Sequence, residues 1–300
     1  MLLSTYVGIA ISIGSSNALI QGFNAQVRNT DGSCKTQSDW EADFNTTLSL
    51  PGNFDSLRLF SSLECNAINV IAPAAIATGG KVLAGISVQH PELFAVEKQQ
   101  LLEAVTNHGS EWLAAVSVGY DELGSDEYMS NSLAEKIYDV RGMLSTVVKN
   151  KTNVLVGHID TWTAWINEKN SPVIKACDFI GTKLNLSLQN NDIISIKDSV
   201  KAYYDSLDQV RETVAATGSN SSIWITEGGL PAISNPVFEV VPTIEIAQAI
   251  WKNIACPLFE IYNVFWRSLQ HKQESSSLGI VDAEGKLLYD LTCQSFVYNN

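Results

Sequence analysis

Eight short apolar runs alternate with helical patterns along this chain of 300 residues, no glycine-rich phosphate turn follows the first run, and no Pro/Gly/Ser-rich linker interrupts the series. Together these predict one α/β domain, a single (β/α)8 TIM barrel. The competing open, doubly wound sheet usually carries G-x-G-x-x-G after its first strand. Here that run is followed by Asn24, Ala25, Gln26, Val27 and Arg28.

The first strand is read over residues 19–23, followed by the turn-like Asp31, Gly32 and Ser33 and a helical face of Trp40, Phe44 and Leu48. Residues 57–60 and 82–88 are the second and third strands, after which Pro91 opens a helix carrying Phe94, Leu101, Leu102 and Val105. The fourth strand, residues 113–118, precedes Leu133, Ile137, Val140, Leu144 and Val147, an apolar stripe stepping by four and three. Residues 154–159 and 179–182 are the fifth and sixth strands. The stripe returns in Val200, Tyr203, Leu207, Val210 and Val214, before strands at residues 222–226 and 261–265. Such faces need a sheet to cover.

A hydrophobic content of 45% allows a full core, and the formal charge of −13 would repel nucleic acid or an anionic membrane surface. A neutral partner and a monomeric chain are expected. Residues 1–18, MLLSTYVGIAISIGSSNA, form an apolar run ending in the small triplet Ser16, Asn17, Ala18, the pattern of a secretory signal peptide with its cleavage site. The barrel is then residues 19–300, and the expected location is extracellular or at a cell wall. No later apolar run is long enough to span a bilayer. Sequons at Asn45, Asn150, Asn185 and Asn220 and five cysteines agree with export. Connectivity is not readable from spacing; the pairs expected are Cys34 with Cys65 and Cys256 with Cys293.

In a closed parallel barrel, chemistry sits at the carboxyl ends of the strands. Asp121 and Glu122 follow the fourth strand and Glu227 follows the seventh, so these carboxyl groups can converge across one mouth. Two carboxylates over a neutral ligand are the equipment of glycoside cleavage, with a separation of about 5 Å for a retaining pair. Neighbours along a strand alternate sides, so Glu122 can replace Asp121 only if the strand end carries a bulge. Arg58, His158 and Asp160 also stand at strand ends, either as ligand-binding groups or as internal hydrogen-bonders. Trp162, Trp165 and Trp266 lie near the mouth, where a pyranose ring would stack, whereas Trp40, Trp112, Trp224 and Trp251 read as core. The four histidines show no zinc-ligand spacing, and there is no G-x-S-x-G elbow or P-loop, so no metal or cofactor is expected.

The segment VSVGYDEL (116–123) resembles the V-S-V-G-[NS]-E-x-L motif of family 17 of the glycoside hydrolases, and WITEGGLP (224–231) resembles its [VI]-x-E-T-G-W-P motif. VGHIDTWTAW and CDFIGT are similar to the middle of its fungal members, and LRLFSSLEC to its R-[IL]-Y-x-x-x-C stretch. The resemblance implies a (β/α)8 fold and an endo-β-1,3-glucanase or glucanosyltransferase acting on β-1,3-glucan by a retaining mechanism, without cofactor. It places Glu227 at the nucleophile and Asp121, where the family has Glu, at the acid/base, with Glu122 as the alternative. Arg58, Tyr120, His158, Asp160 and Trp162 form the expected substrate-binding set.

The chain departs from that pattern at the mouth. Tyr120 stands in place of Asn or Ser, Gly124 and Ser125 replace Tyr-Arg, Gly228 to Pro231 replace T-G-W-P, and Asn185 to Ser187 fall where Tyr-Pro-Tyr is expected. These losses support an alternative, a catalytically degenerate barrel that binds wall glucan or a host protein without turnover.

Overall fold

The computed structural model describes residues 18–123, 127–148, 154–184, 196–228, 244–266, 268–270, 279–282 and 285–293. Residues 1–17 of the expected signal lie outside this set, as do the sequons Asn150 and Asn185 and positions 124–125, 185–187 and 229–231. The strands are β1 (Gln21–Asn24), β2 (Ser56–Arg58), β3 (Lys81–Ile86), β4 (Leu113–Tyr120), β5 (Val156–Thr161), β6 (Phe179–Lys183), β7 (Ser222–Gly228) and β8 (Val264–Trp266). They close in sequence order, all parallel, with β1 paired to both β2 and β8. The molecule is the predicted (β/α)8 TIM barrel.

The helices described are α1 (Gln37–Ser49), α2 (Ala67–Thr78), α3 (Pro91–His108), α4 (Glu127–Val147), α5 (Trp162–Trp165), α6 (Ser171–Ala176), α7 (Ile196–Ala216), α8 (Ile244–Ile250) and α9 (Cys256–Phe259). A capping box starts α1: Asp39 N–H donates to Thr36 Oγ1 at 3.3 Å, and Thr36 N–H donates to Asp39 Oδ2 at 2.7 Å. Pro91, whose fixed φ suits a first helical position, starts α3. On α4 the stripe Leu133, Ile137, Val140 and Leu144 is buried, as is Tyr203, Leu207, Val210 and Val214 on α7, while Val147 and Val200 at the stripe ends are half-buried. On α1 the inward face is Trp40, Phe44 and Thr47, and Leu48 is exposed. At 100° per residue, position 47 continues the face begun by 40 and 44, and 48 overshoots it.

Apolar side chains occupy two layers. Leu83, Ala115, Ile159, Phe179, Trp224 and Phe265 fill the lumen, where Phe179 and Trp224 stack at 4.2 Å. The larger layer lies between sheet and helices and includes Trp40, Trp165 and Trp251. Each fully buried Leu, Ile or Phe contributes about 1.5–3 kcal/mol relative to exposure.

The disulfides are Cys34–Cys65 and Cys256–Cys293, as expected. The first ties the β1–α1 loop to the β2–α2 connection, and the second ties α9 to the segment near residue 293. Cys177 is free and buried, and burial pushes its thiol far above the usual range.

Candidate active site

Two irregularities in strand pairing build the mouth. Trp224 on β7 points into the lumen, so strict alternation would turn Glu227, three residues on, to the outer face. Instead, β7 carries one extra residue against both neighbours: Thr182 faces Ile225 and Lys183 faces Glu227, while Val264 faces Ile225 and Trp266 faces Gly228. The bulge turns Glu227 inward.

The same device operates on β4. Ser117 pairs with Gly157 and Tyr120 with Ile159, three residues against two, and Gly119 supplies a left-handed turn at φ 78°. Tyr120 therefore packs against the lumen cluster, although Ala115, five residues earlier, also points inward.

Above the apolar lumen sits a polar layer centred on Glu227, which is 5% exposed. Arg58 Nη1 donates to Glu227 Oε1 at 3.0 Å, and to Asn24 Oδ1 and the Thr226 carbonyl at 3.2 Å each. The guanidinium lies 4.3 Å from the Phe60 ring centre and 5.0 Å from that of Tyr120, in cation–π contact with both. The Tyr120 hydroxyl faces Glu227 and helps to hold its carboxyl ionised. Burial pushes the Glu227 carboxyl upward, but the charges of Arg58 and Lys183 and the hydrogen bonds from Tyr120 and Arg58 outweigh it. The net result lies below the usual range. Glu227 is held ionised.

Lys183, at the end of β6, joins the two sides of the mouth. Its ammonium donates to Tyr120 Oη at 3.0 Å and forms an ion pair with Asp121. Burial raises the Asp121 carboxyl; Lys183 opposes this, while the charges of Asp160 and Glu227 add to it, and the net shift is upward. Burial, with the adjacent Glu227 charge, also raises the Tyr120 phenol, which stays protonated as a donor. Asp121 has φ 59°, a left-handed conformation that Asp tolerates because its short polar side chain bonds locally.

Glu122 looks elsewhere. Its Cγ packs near Gly119 and the His158 ring, and burial raises its carboxyl, with His158, Asp160, Lys136 and Asp121 around it. His158 and Asp160 flank the lumen-facing Ile159, so alternation places both on the outer face of β5. His158 Nδ1 is 2.7 Å from the Val118 carbonyl and Nε2 is 3.2 Å from Asp160 Oδ2. Asp160 also accepts the N–H groups of Leu123 at 2.8 Å and Thr161 at 2.6 Å. These two residues brace the end of β4 and the turn that holds Asp121.

Trp162 opens α5 and is half-buried. Two other tryptophans expected at the mouth are sealed. Trp165 is fully buried and donates its indole N–H to the Gly181 carbonyl at 3.0 Å. Trp266 lies against Gly228, where a Cβ would fall 2.3 Å from its ring, so no larger residue fits beside Glu227 without movement. Asn24 and Lys183 are absent from the sequence-based set, although each stands at the end of a strand. Among the described residues, no three His, Cys, Asp or Glu side chains gather to hold a metal ion.

Residues 22–276 match a family model described as the BtgE/BtgC glycoside hydrolase domain. The chain is 32% identical over 313 aligned residues to the probable glucan endo-1,3-beta-glucosidase eglC of Aspergillus fumigatus, covering 96% of this chain and 69% of the relative. It is 24% identical to the glucan 1,3-beta-glucosidase of Saccharomyces cerevisiae, over 90% of each chain. In fold it is similar to the glycoside hydrolase family 17 beta-1,3-glucanosyltransferase of Rhizomucor miehei. There the TM-score is 0.73 at 17% identity, covering 91% of this chain and 98% of the other. An active-site mutant of that transferase has been solved with laminaritriose.

Proposed function

The chain belongs to the BtgE/BtgC glycoside hydrolase family, and on that premise we propose that it cleaves or transfers β-1,3-glucan chains by a retaining, two-carboxylate mechanism. The observation that carries this reading is the buried, ionised Glu227 at the end of β7, linked to Asp121 through Tyr120 and Lys183. Glu227 attacks the anomeric carbon, and the glycosidic oxygen leaves with the proton of Asp121. Asp121, now a carboxylate, takes a proton from water or from a glucan hydroxyl. That oxygen displaces Glu227 and restores the resting enzyme.

Asp121 rather than Glu122 fills the acid/base role, because it lies in the field of Glu227 while Glu122 turns toward His158 and Lys136. Arg58 orients the nucleophile and lowers its proton affinity. The disulfides fit an oxidising compartment, and the proposed place of action is outside the cell, at a glucan wall. The Lys183–Asp121 ion pair favours a second reading, a glucan-binding barrel without turnover, because it holds the acid position as a carboxylate.

Sugar release from laminarin and from defined β-1,3-glucan oligomers separates the two. Glu227→Gln should lose about 10⁴-fold or more in kcat, Asp121→Asn about 10²–10⁴-fold, and Glu122→Gln only a few-fold. Glucan binding by an inactive wild type, indifferent to all three changes, would leave the binding reading standing.

A further inference from the structure

Lys183 has no place in a two-carboxylate mechanism as such, yet among the described residues it is the cation paired with Asp121. Its side chain is 7% exposed. Its ammonium lies 4.3 Å from the Tyr120 ring centre as well as bonding to the phenol oxygen, so it is fixed from one side and pointed at Asp121 on the other. A buried ammonium that touches the acid and shares a tyrosine with the nucleophile acts on both carboxyl groups.

We propose that Lys183 is a positioning residue that sets the pH window of the reaction, by holding the Asp121 carboxylate in place and opposing its protonation. This rests on the glycosidase reading of the site. Among the described residues, the charges that act on Asp121 are those of Lys183 on β6, Asp160 on β5, Glu227 on β7 and its neighbour Glu122, while Arg58 on β2 and Tyr120 on β4 act on Glu227. Among the described residues, Arg58 is bonded to Glu227 and Lys183 to Asp121, so Lys183 governs the acid directly. Turnover needs Asp121 protonated and Glu227 ionised. Because Lys183 favours the ionised form of both, it displaces both limits of activity toward acid pH.

The test compares wild type with Lys183→Met, Lys183→Gln and Lys183→Arg. The kcat/KM profile on laminarin should be a bell that moves to higher pH, limbs together, in Lys183→Met and Lys183→Gln, and that Lys183→Arg returns toward wild type. Carboxyl-carbon NMR of aspartate-labelled protein, with the Asp121 signal assigned through Asp121→Asn, should show its midpoint rising in the same two variants. A midpoint that stays put in both neutral variants overturns the proposal. A midpoint that rises in a wild-type background unable to cleave any glucan supports the Lys183–Asp121 coupling and rejects the glucanase reading instead.

Discussion

Replacing Arg58 by Met tests what keeps Glu227 ionised. The two side chains are 1% and 6% exposed and meet at 3.0 Å, so neither charge has much water to fall back on. Unit charges about 4 Å apart attract by about 4 kcal/mol at an effective dielectric near 20. Removing one member of a buried pair costs about 3–5 kcal/mol, since the other is left uncompensated. Arg58→Met keeps the aliphatic stem but takes the guanidinium away from the Phe60 and Tyr120 rings, Asn24 and the Thr226 carbonyl, so the loss includes these contacts as well as the ion pair. Urea unfolding at pH 7 should therefore show a deficit of about 3–5 kcal/mol.

The pH dependence gives the sharper result. In the wild type the Glu227 carboxyl lies below its unfolded value, so its stabilisation is present above that unfolded value and is lost as pH falls through the folded one. Without Arg58, burial is no longer outweighed and the folded value rises above the unfolded one. The variant then loses stability as pH rises through that window, and its deficit shrinks in acid. Coupling is isolated by a double-mutant cycle with Glu227→Gln. A deficit under about 1 kcal/mol at pH 7, unchanged at pH 4, would refute the claim that Arg58 sets the charge of Glu227.

Other perturbations probe the frame. Asp121→Glu puts a longer side chain on a left-handed backbone at φ 59°; it should lower stability by about 1–2 kcal/mol, and an equal or higher unfolding midpoint would contradict that. Glu97→Ala removes a buried acceptor bonded by the Ser61 hydroxyl at 2.9 Å and by the Ser62 and Ser87 N–H groups at 3.1 Å each. Orphaning two backbone donors should cost about 2–4 kcal/mol in urea unfolding, and a loss below 1 would show that water replaces the carboxylate.

The barrel was legible because its cause is local and repeated. Apolar runs such as residues 113–118 and 179–182, alternating with helical stripes such as Leu133, Ile137, Val140 and Leu144, leave one economical way to bury every face. The strand-end rule likewise brought Asp121, Glu227 and Arg58 into view, since in this fold position along the strand fixes depth along the axis. What only the tertiary structure decided is which way each side chain turns at that depth. Alternation from Trp224 sends Glu227 outward, and the bulge on β7 brings it back; the bulge on β4 brings Tyr120 into the lumen and leaves Glu122 beside His158. A bulge is a mismatch between neighbouring strands and belongs to neither sequence segment alone. For the same reason Lys183 stayed hidden: its role exists only where the closed barrel sets the end of β6 beside β7 and within side-chain reach of the end of β4, across β5 and 62 residues from Asp121 along the chain.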